Sequence, residues 1–155
     1  MSPAAGSVDD VGLQAMRWWD VEQVLPLERE LFDAGAWSAE TFWSELAHPH
    51  GRWYLVARAD GAEVVGYAGV MVVDGEADVQ TVAVAPAAQG RGVGARLLGA
   101  LLERAVEQGA RRVTLEVRAD NAVAIALYRR HGFARVAVRR GYYQPEGADA
   151  WIMQR

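Results

Sequence analysis

The sequence predicts an α/β (mixed α+β) fold: a mixed sheet with helices on both faces. Three observations predict it. Apolar runs at 53–59, 63–73 and 78–85 are separated by Asp60-Gly61 and Asp74-Gly75, pairs that tolerate positive φ and so signal tight hairpins. After Pro86 the apolar spacing changes from strand-like to three-and-four. The rest of the chain then alternates as helix, strand, helix, strand, strand. The second and third runs are almost continuously apolar, which calls for cover on both sheet faces.

Taken in order, Leu13–Trp18 reads as a short first strand. Asp20 is placed to cap a helix by accepting a first-turn amide hydrogen. Val21, Val24, Leu25, Leu27, Leu31 and Phe32 form the apolar stripe of that helix. Pro26 is either tolerated near its start or marks where the regular helix begins. Ser38 caps a second short helix that buries Phe42, Trp43 and Leu46, and His48-Pro49-His50-Gly51 stops it. The three strands follow. Val93, Leu97, Leu98, Leu101, Leu102, Ala105 and Val106 then give a helix of about four turns ending at Gly109. Val113–Val117 is a strand, and Asn121 opens a shorter helix with Ala124, Ile125, Leu127 and Tyr128 on its stripe, closed by His131-Gly132. Phe133–Val138 is a strand, Gly141–Gly147 a polar and aromatic loop, and Ala150–Met153 the last strand.

A chain of 155 residues is the size of one ordinary domain. The expected organisation is a flexible leader at 1–10 and a single domain at 11–155. There is no cysteine, which excludes disulfides, thiolate metal sites, a redox pair and a covalent acyl-cysteine route. His48, His50 and His131 are too scattered for a zinc set, so no metal is expected. No apolar run approaches the roughly 20 residues needed to cross a bilayer, and the start of the chain lacks a secretory pattern. The expectation is a soluble cytoplasmic protein without membrane contact.

The net charge of -4 is unevenly spread. Residues 1–48 hold nine acidic and two basic side chains, whereas 89–155 hold twelve arginines and six acids. This distribution has two readings: compositional bias, or an arginine-rich part facing a polyanionic cofactor and an acidic part favouring a cationic partner.

Gln89-Gly90-Arg91-Gly92-Val93-Gly94 follows a strand and opens the strongest helix. Glycines let successive amides point into one concavity, and the first helical turn adds N–H groups without partners and the positive dipole end. Arg91 can approach a phosphate from the rim, so the turn suits a diphosphate. The plain alternative is an ordinary glycine-rich helix start. A dinucleotide fold is disfavoured: the spacing is Gly-x-Gly-x-Gly, and only one strand-helix unit follows, although Glu116 lies about 20 residues on. A Walker A loop needs a lysine, and all sixteen basic residues are arginine.

Val82-Ala83-Val84-x-Pro86 followed by Gln89-x-x-Gly92-x-Gly94 resembles the acetyl-CoA site of the GNAT superfamily of N-acetyltransferases. Downstream, Leu115–Arg118, Asn121, Ala124–Tyr128, Gly132-Phe133, Arg139-Arg140-x-Tyr142-Tyr143 and Asp149–Met153 resemble the ribosomal-protein alanine N-acetyltransferases within it. The resemblance covers roughly residues 53–155. It implies a mostly antiparallel central sheet and acetyl-CoA as co-substrate. It also implies that the backbone of Val82, Ala83 and Val84 pairs with the pantetheine arm, that Gln89, Gly90, Arg91, Gly92, Val93 and Gly94 hold the pyrophosphate, and that Asn121 and Tyr128 contact the cofactor. Glu116 is implied as proton acceptor, Tyr128 as proton donor, and Tyr142 and Tyr143 as acceptor contacts. The implied acceptor is the N-terminus of ribosomal protein S18 or of another protein.

The residues themselves leave alternatives open. Glu116 is opposite in parity to Val113, Leu115 and Val117, so it is either a base or the partner of Arg118 or another arginine. Tyr128 is either an acid or a core ring with its hydroxyl at the edge. At pH 7, deprotonating an α-amine of pKa near 8 costs about 1 to 1.4 kcal/mol, against roughly 4.6 for a lysine side chain near 10.4. A modest carboxylate base therefore suits a protein N-terminus more easily. Rival functions are acetylation of a small amine or a lysine, and acyl-CoA sensing without catalysis. Direct nucleic-acid recognition lacks an aromatic platform or a known RNA-binding fold.

Overall fold

The computed structural model describes residues 10–155, so the leader expected at 1–10 lies, apart from Asp10, outside the described residues. Seven strands form one sheet: β1 (Val11–Ala15), β2 (Arg52–Ala59), β3 (Glu63–Val73), β4 (Glu76–Val84), β5 (Arg112–Arg118), β6 (Ala134–Tyr143) and β7 (Ala148–Gln154), in the order β1-β2-β3-β4-β5-β7-β6. Every pairing is antiparallel except β4 with β5. The helices are α1 (Val21–Phe32), α2 (Ala39–Ala47), α3 (Val93–Glu107) and α4 (Ala122–Arg130). The expected mixed, mostly antiparallel sheet with helices on both faces is what the chain forms.

The two hairpin signals act as expected. Asp60 and Gly61 have φ of 50° and 71°, Asp74 and Gly75 of 51° and 80°, the positive pair that matches a tight turn to strand twist. Alternation along β2 splits the core. Leu55 and Ala57 face the layer made by α3 and α4, with Leu97, Leu98, Leu101 and Ile125. Tyr54 and Val56 face the layer made by α1 and α2, with Val21, Val24 and Phe42. Val65 is an extra residue opposite the Ala57/Arg58 step, so strand parity reverses there, and Val64 and Tyr67 both reach the α1 layer. No helix among the described residues is long and apolar enough to cross a membrane.

Several local expectations change. The first strand is Val11–Ala15 and not 13–18, because Trp18–Asp20 forms a 3-10 turn. Asp20 stands at the cap position, but its backbone is already helical (φ -73°, ψ -20°), so its carboxylate does not swing over the first turn. It accepts instead from the Arg17 amide at 2.8 Å and from Arg58. The α1 helix runs through Pro26. Ser38 is extended and accepts from the Thr41 amide at 3.2 Å, as expected of a cap. Phe32, Trp43 and Val106, expected on buried stripes, are exposed: each sits one step around its helix from the contact line or at its end. Of the loop predicted at 141–147, residues 141–143 belong to the end of β6, and 144–147 form the turn into β7. Beyond Arg139 and its partner Ala150, β6 bulges through residues 140–142 and pairs again at Tyr143 with Ala148.

Candidate active site

The site begins as a failure of pairing. Strands β4 and β5 are nine and seven residues long, yet they pair only at Glu76 with Arg112, Ala77 with Val113 and Asp78 with Thr114. Past that point they part. On the other side of β4, Gly69 faces Thr81 and Val70 faces Val79, so Gln80 is an extra residue, and a bulge bends the strand where it leaves β5. The wedge becomes a cleft of about 640 Å³ bordered by Val79, Gln80, Thr81 and Val82 on one side and Leu115–Arg118 on the other. Among the described residues no strand lies beside the β4 edge from Val79 onward on the β5 side, which leaves peptide groups there for an extended ligand with its own amides. At the fork, the Asp78 carboxyl is raised by partial burial first, then by the charges of Glu76 and Glu116.

The glycine turn lies at the head of α3. Gly90 and Gly92 have φ of 77° and 80°, and Gly92 is the residue before the helix. The helical ladder starts with the Arg96 amide on the Gly92 carbonyl at 3.1 Å, so the amides of Val93, Gly94 and Ala95 precede it. Gly94 serves a different purpose: a Cβ there would lie 3.3 Å from Leu127 and 3.5 Å from Val84, so it lets α3, α4 and β4 close up. The Gln89 side-chain amide donates to the Val84 carbonyl at 3.1 Å and ties the turn to the end of β4. Gly90, Arg91 and Gly92 are exposed, whereas the Val93 side chain is in the core, leaving only its amide available to a ligand. Acidic and basic groups aside, this cradle of backbone donors fits a diphosphate, and the free β4 edge beside it fits an amide-bearing arm.

Of the residues singled out from sequence, Val82, Glu116, Asn121, Tyr128, Tyr142 and Tyr143 line the one cleft. Gln89–Gly94 lies outside its walls. Ala83 is turned away into the α1 layer, so that its backbone alone remains on the strand edge. Val84 packs partly against the α3 layer.

Glu116 stands on the solvent-facing side of β5, between buried Leu115 and Val117. Its carboxylate pairs with Arg139 of β6 at 3.5 Å. The expected alternative partner, Arg118, is engaged elsewhere, with Asp120 at 3.1 Å and Glu146 at 3.6 Å. Tyr128 is buried beneath the cleft, edge-on to Phe133, and burial, then the nearby Tyr143, push its hydroxyl up to about 12. It is therefore both a core ring and a cleft residue. Asn121 caps α4, its side-chain oxygen accepting from the Ala124 amide at 3.1 Å. Tyr142 and Tyr143 meet edge-on at 5.2 Å, and Arg139 and Arg118 lie over their respective rings. The Gly141 amide donates to Asp149 at 2.9 Å, which fixes the bulge carrying both rings.

Apart from Trp37, a tryptophan of the kind that walls a groove, the opposite wall was not expected from the sequence. Glu28, Leu31 and Phe32 at the end of α1, residues 33–35 and Trp37 close the cleft from the far side. Glu28 carried a legible signal, since an acid four residues after Val24 falls on the buried stripe. Arg139 carried one only in part, as an arginine beside the tyrosine pair. Among the described residues no group of three or more His, Asp or Glu side chains is placed to hold a metal.

A parallel strand pair that splays beside a glycine turn at a helix start, with an acid and a tyrosine in the wedge, defines an acetyl-CoA-binding acetyltransferase fold. The chain belongs to the acetyltransferase (GNAT) family, whose model matches residues 13–133. It is 44% identical over 152 residues to the N-alpha-acetyltransferase RimI of Mycobacterium tuberculosis, covering 95% of this chain and 93% of that protein. It is 45% identical over 141 residues to an uncharacterized protein of Mycobacterium leprae, covering 88% of this chain but only 38% of that longer protein. The crystal structure of the ribosomal-protein-S18-alanine N-acetyltransferase from Escherichia coli superposes with a TM-score of 0.81 at 32% identity, over 93% of this chain and 92% of that one.

Proposed function

We propose that this chain acetylates the N-terminal α-amine of a protein, with ribosomal protein S18 as the leading acceptor, using acetyl-CoA as donor. The observation that carries the reading is the meeting of Glu116, Tyr128 and the Tyr142-Tyr143 pair in one wedge between β4 and β5. The names borne by the Mycobacterium tuberculosis and Escherichia coli relatives support the choice of acceptor.

Acetyl-CoA supplies an activated acyl group. The amides of Gln89–Gly94 hold its diphosphate, the free edge of β4 at Val82–Val84 takes its amide-bearing arm, and Asn121 and Tyr128 flank the reacting end. Glu116 accepts the proton that the amine must lose, directly or through a water. Tyr128, kept protonated by burial, donates to the departing sulfur. Tyr142 and Tyr143 wall the path of the acceptor. The aromatic rings suit a peptide stem, and an α-amine of pKa near 8, charged but easily deprotonated at pH 7, asks little of an exposed carboxylate base.

A panel of N-terminal peptides, including that of S18, with labelled acetyl-CoA tests the reading. Label is expected on the α-amine of Ala-initiated or similar peptides. Label confined to a small polyamine, to lysine side chains, or to nothing at all would sink it.

A further inference from the structure

Among the described residues two carboxylates are buried to the same degree, Asp20 and Glu28, each 3% exposed. Their circumstances differ. Asp20 has a cation, Arg58, in direct contact. Glu28 has none among the described residues: the Tyr67 hydroxyl donates to one of its oxygens at 2.6 Å and the Trp37 amide to the other at 3.0 Å, both neutral donors. A buried carboxylate without a positive partner is costly, and folding offers no reason to keep it where an amide would serve. Burial pushes its carboxyl up, while the two hydrogen bonds pull it partly back. Because both oxygens accept, each retains a lone pair, and the group lines the cleft on the wall opposite Glu116.

We propose that Glu28 is the receptor for the acceptor's ammonium group: the amine arrives charged, is bound by the Glu28 carboxylate at the α1 wall, and is then within the cleft whose other wall carries Glu116. This rests on the function proposed above only in requiring an amine acceptor. Glu28 supplies the missing half of an ion pair, and the substrate is the other half. The arrangement also explains why Trp37 and Tyr67 converge on one side chain: they hold the carboxylate at a fixed place from α1, the α1–α2 connection and β3. Glu28 is thus a binding residue for the charged amine, while proton removal stays with Glu116.

Glu28→Gln tests this with little disturbance. The amide oxygen can accept from Trp37 and the amide nitrogen can donate to the Tyr67 hydroxyl, so the hydrogen-bond count is kept and only the charge is lost. Binding of a free-amine peptide is compared with that of its desamino analogue in the presence of CoA, alongside acceptor KM. The wild type is expected to prefer the free amine, and Glu28→Gln to lose that preference and raise acceptor KM on the order of 10- to 100-fold, with acetyl-CoA KM unchanged. Glu28→Asp, which keeps the charge, is expected to retain part of the preference and serves if the glutamine variant does not fold. An undiminished preference in Glu28→Gln, or no preference in the wild type, overturns the proposal. If the wild type acetylates only a small amine, the peptide reading fails by itself, and the same comparison with that amine and its desamino analogue still decides the role of Glu28.

Discussion

Asp78 and Thr114 are the last residues of β4 and β5 to face one another, and the cleft begins where their pairing stops. The groups that β4 and β5 themselves bring to the cleft stand beyond that pair. Glu116 is two residues beyond Thr114 on β5, and the Gln80 bulge is two beyond Asp78 on β4. Separation of the strands exposes one wall of peptide groups and one wall of side chains, the division of labour that an extended donor and a reacting amine require.

Glu116→Gln is expected to lower kcat at pH 7 by about 10² to 10⁴ while leaving acetyl-CoA affinity intact. Glu116 is exposed and its pairing with Arg139 is a surface ion pair, so the melting temperature should scarcely move. Steady-state kinetics with calorimetry separates the readings: equal losses in Glu116→Gln and Arg139→Ala, with a fall in stability, would mean that the pair is structural.

Tyr128 is expected to stay protonated throughout the working range, because burial, then Tyr143, push it up to about 12. Tyr128→Phe should reduce kcat without shifting the acid limb of the pH profile. Linkage gives a second readout. A folded pKa above the unfolded value near 10 contributes stability that is complete below pH 10 and is lost as pH rises toward 12. The melting temperature of the wild type should therefore decline more steeply than that of Tyr128→Phe between those limits, and parallel curves would refute the assignment.

Gly69→Ala should destabilise the fold by about 1 to 3 kcal/mol, the cost of an overpacked core. A Cβ at this position would collide with the Tyr54 ring, which is itself buried. Gly69 sits opposite Thr81, next to the bulge that bends β4. Acetyl-CoA KM should rise along with the loss of stability seen in urea unfolding. Adding Tyr54→Phe should rescue nothing, because the ring and not the hydroxyl is in the way; a neutral Gly69→Ala would contradict the close approach.

The hairpins and the main helix were legible because their causes are local. Asp-Gly pairs favour positive φ whatever surrounds them, and six of the seven apolar residues spaced by three and four make the buried face of α3. The cap at Ser38 and the cap at Asn121 were legible for the same reason. Asp20 was not: its side chain answers to Arg58, 38 residues away, and to a preceding 3-10 turn. Phe32 and Trp43 carry hydrophobicity without a fixed direction, and their exposure depends on where the helices settle.

The sequence by itself determined the fold class, the place of the glycine turn and the family-like run from Val82 to Tyr143, since these rest on backbone preference and on spacing along the chain. Only the tertiary structure decided how the site closes. The splay after Asp78 and Thr114 arises from a bulge that depends on the register of β3 against β4. The meeting of Glu28 from α1 with the wedge that holds Glu116 and Tyr128 depends on helix packing across the sheet. The second brings into one cleft residues roughly 90 to 100 positions apart, and no local pattern encodes a separation of that kind, because it is set by burial and register summed over the whole domain.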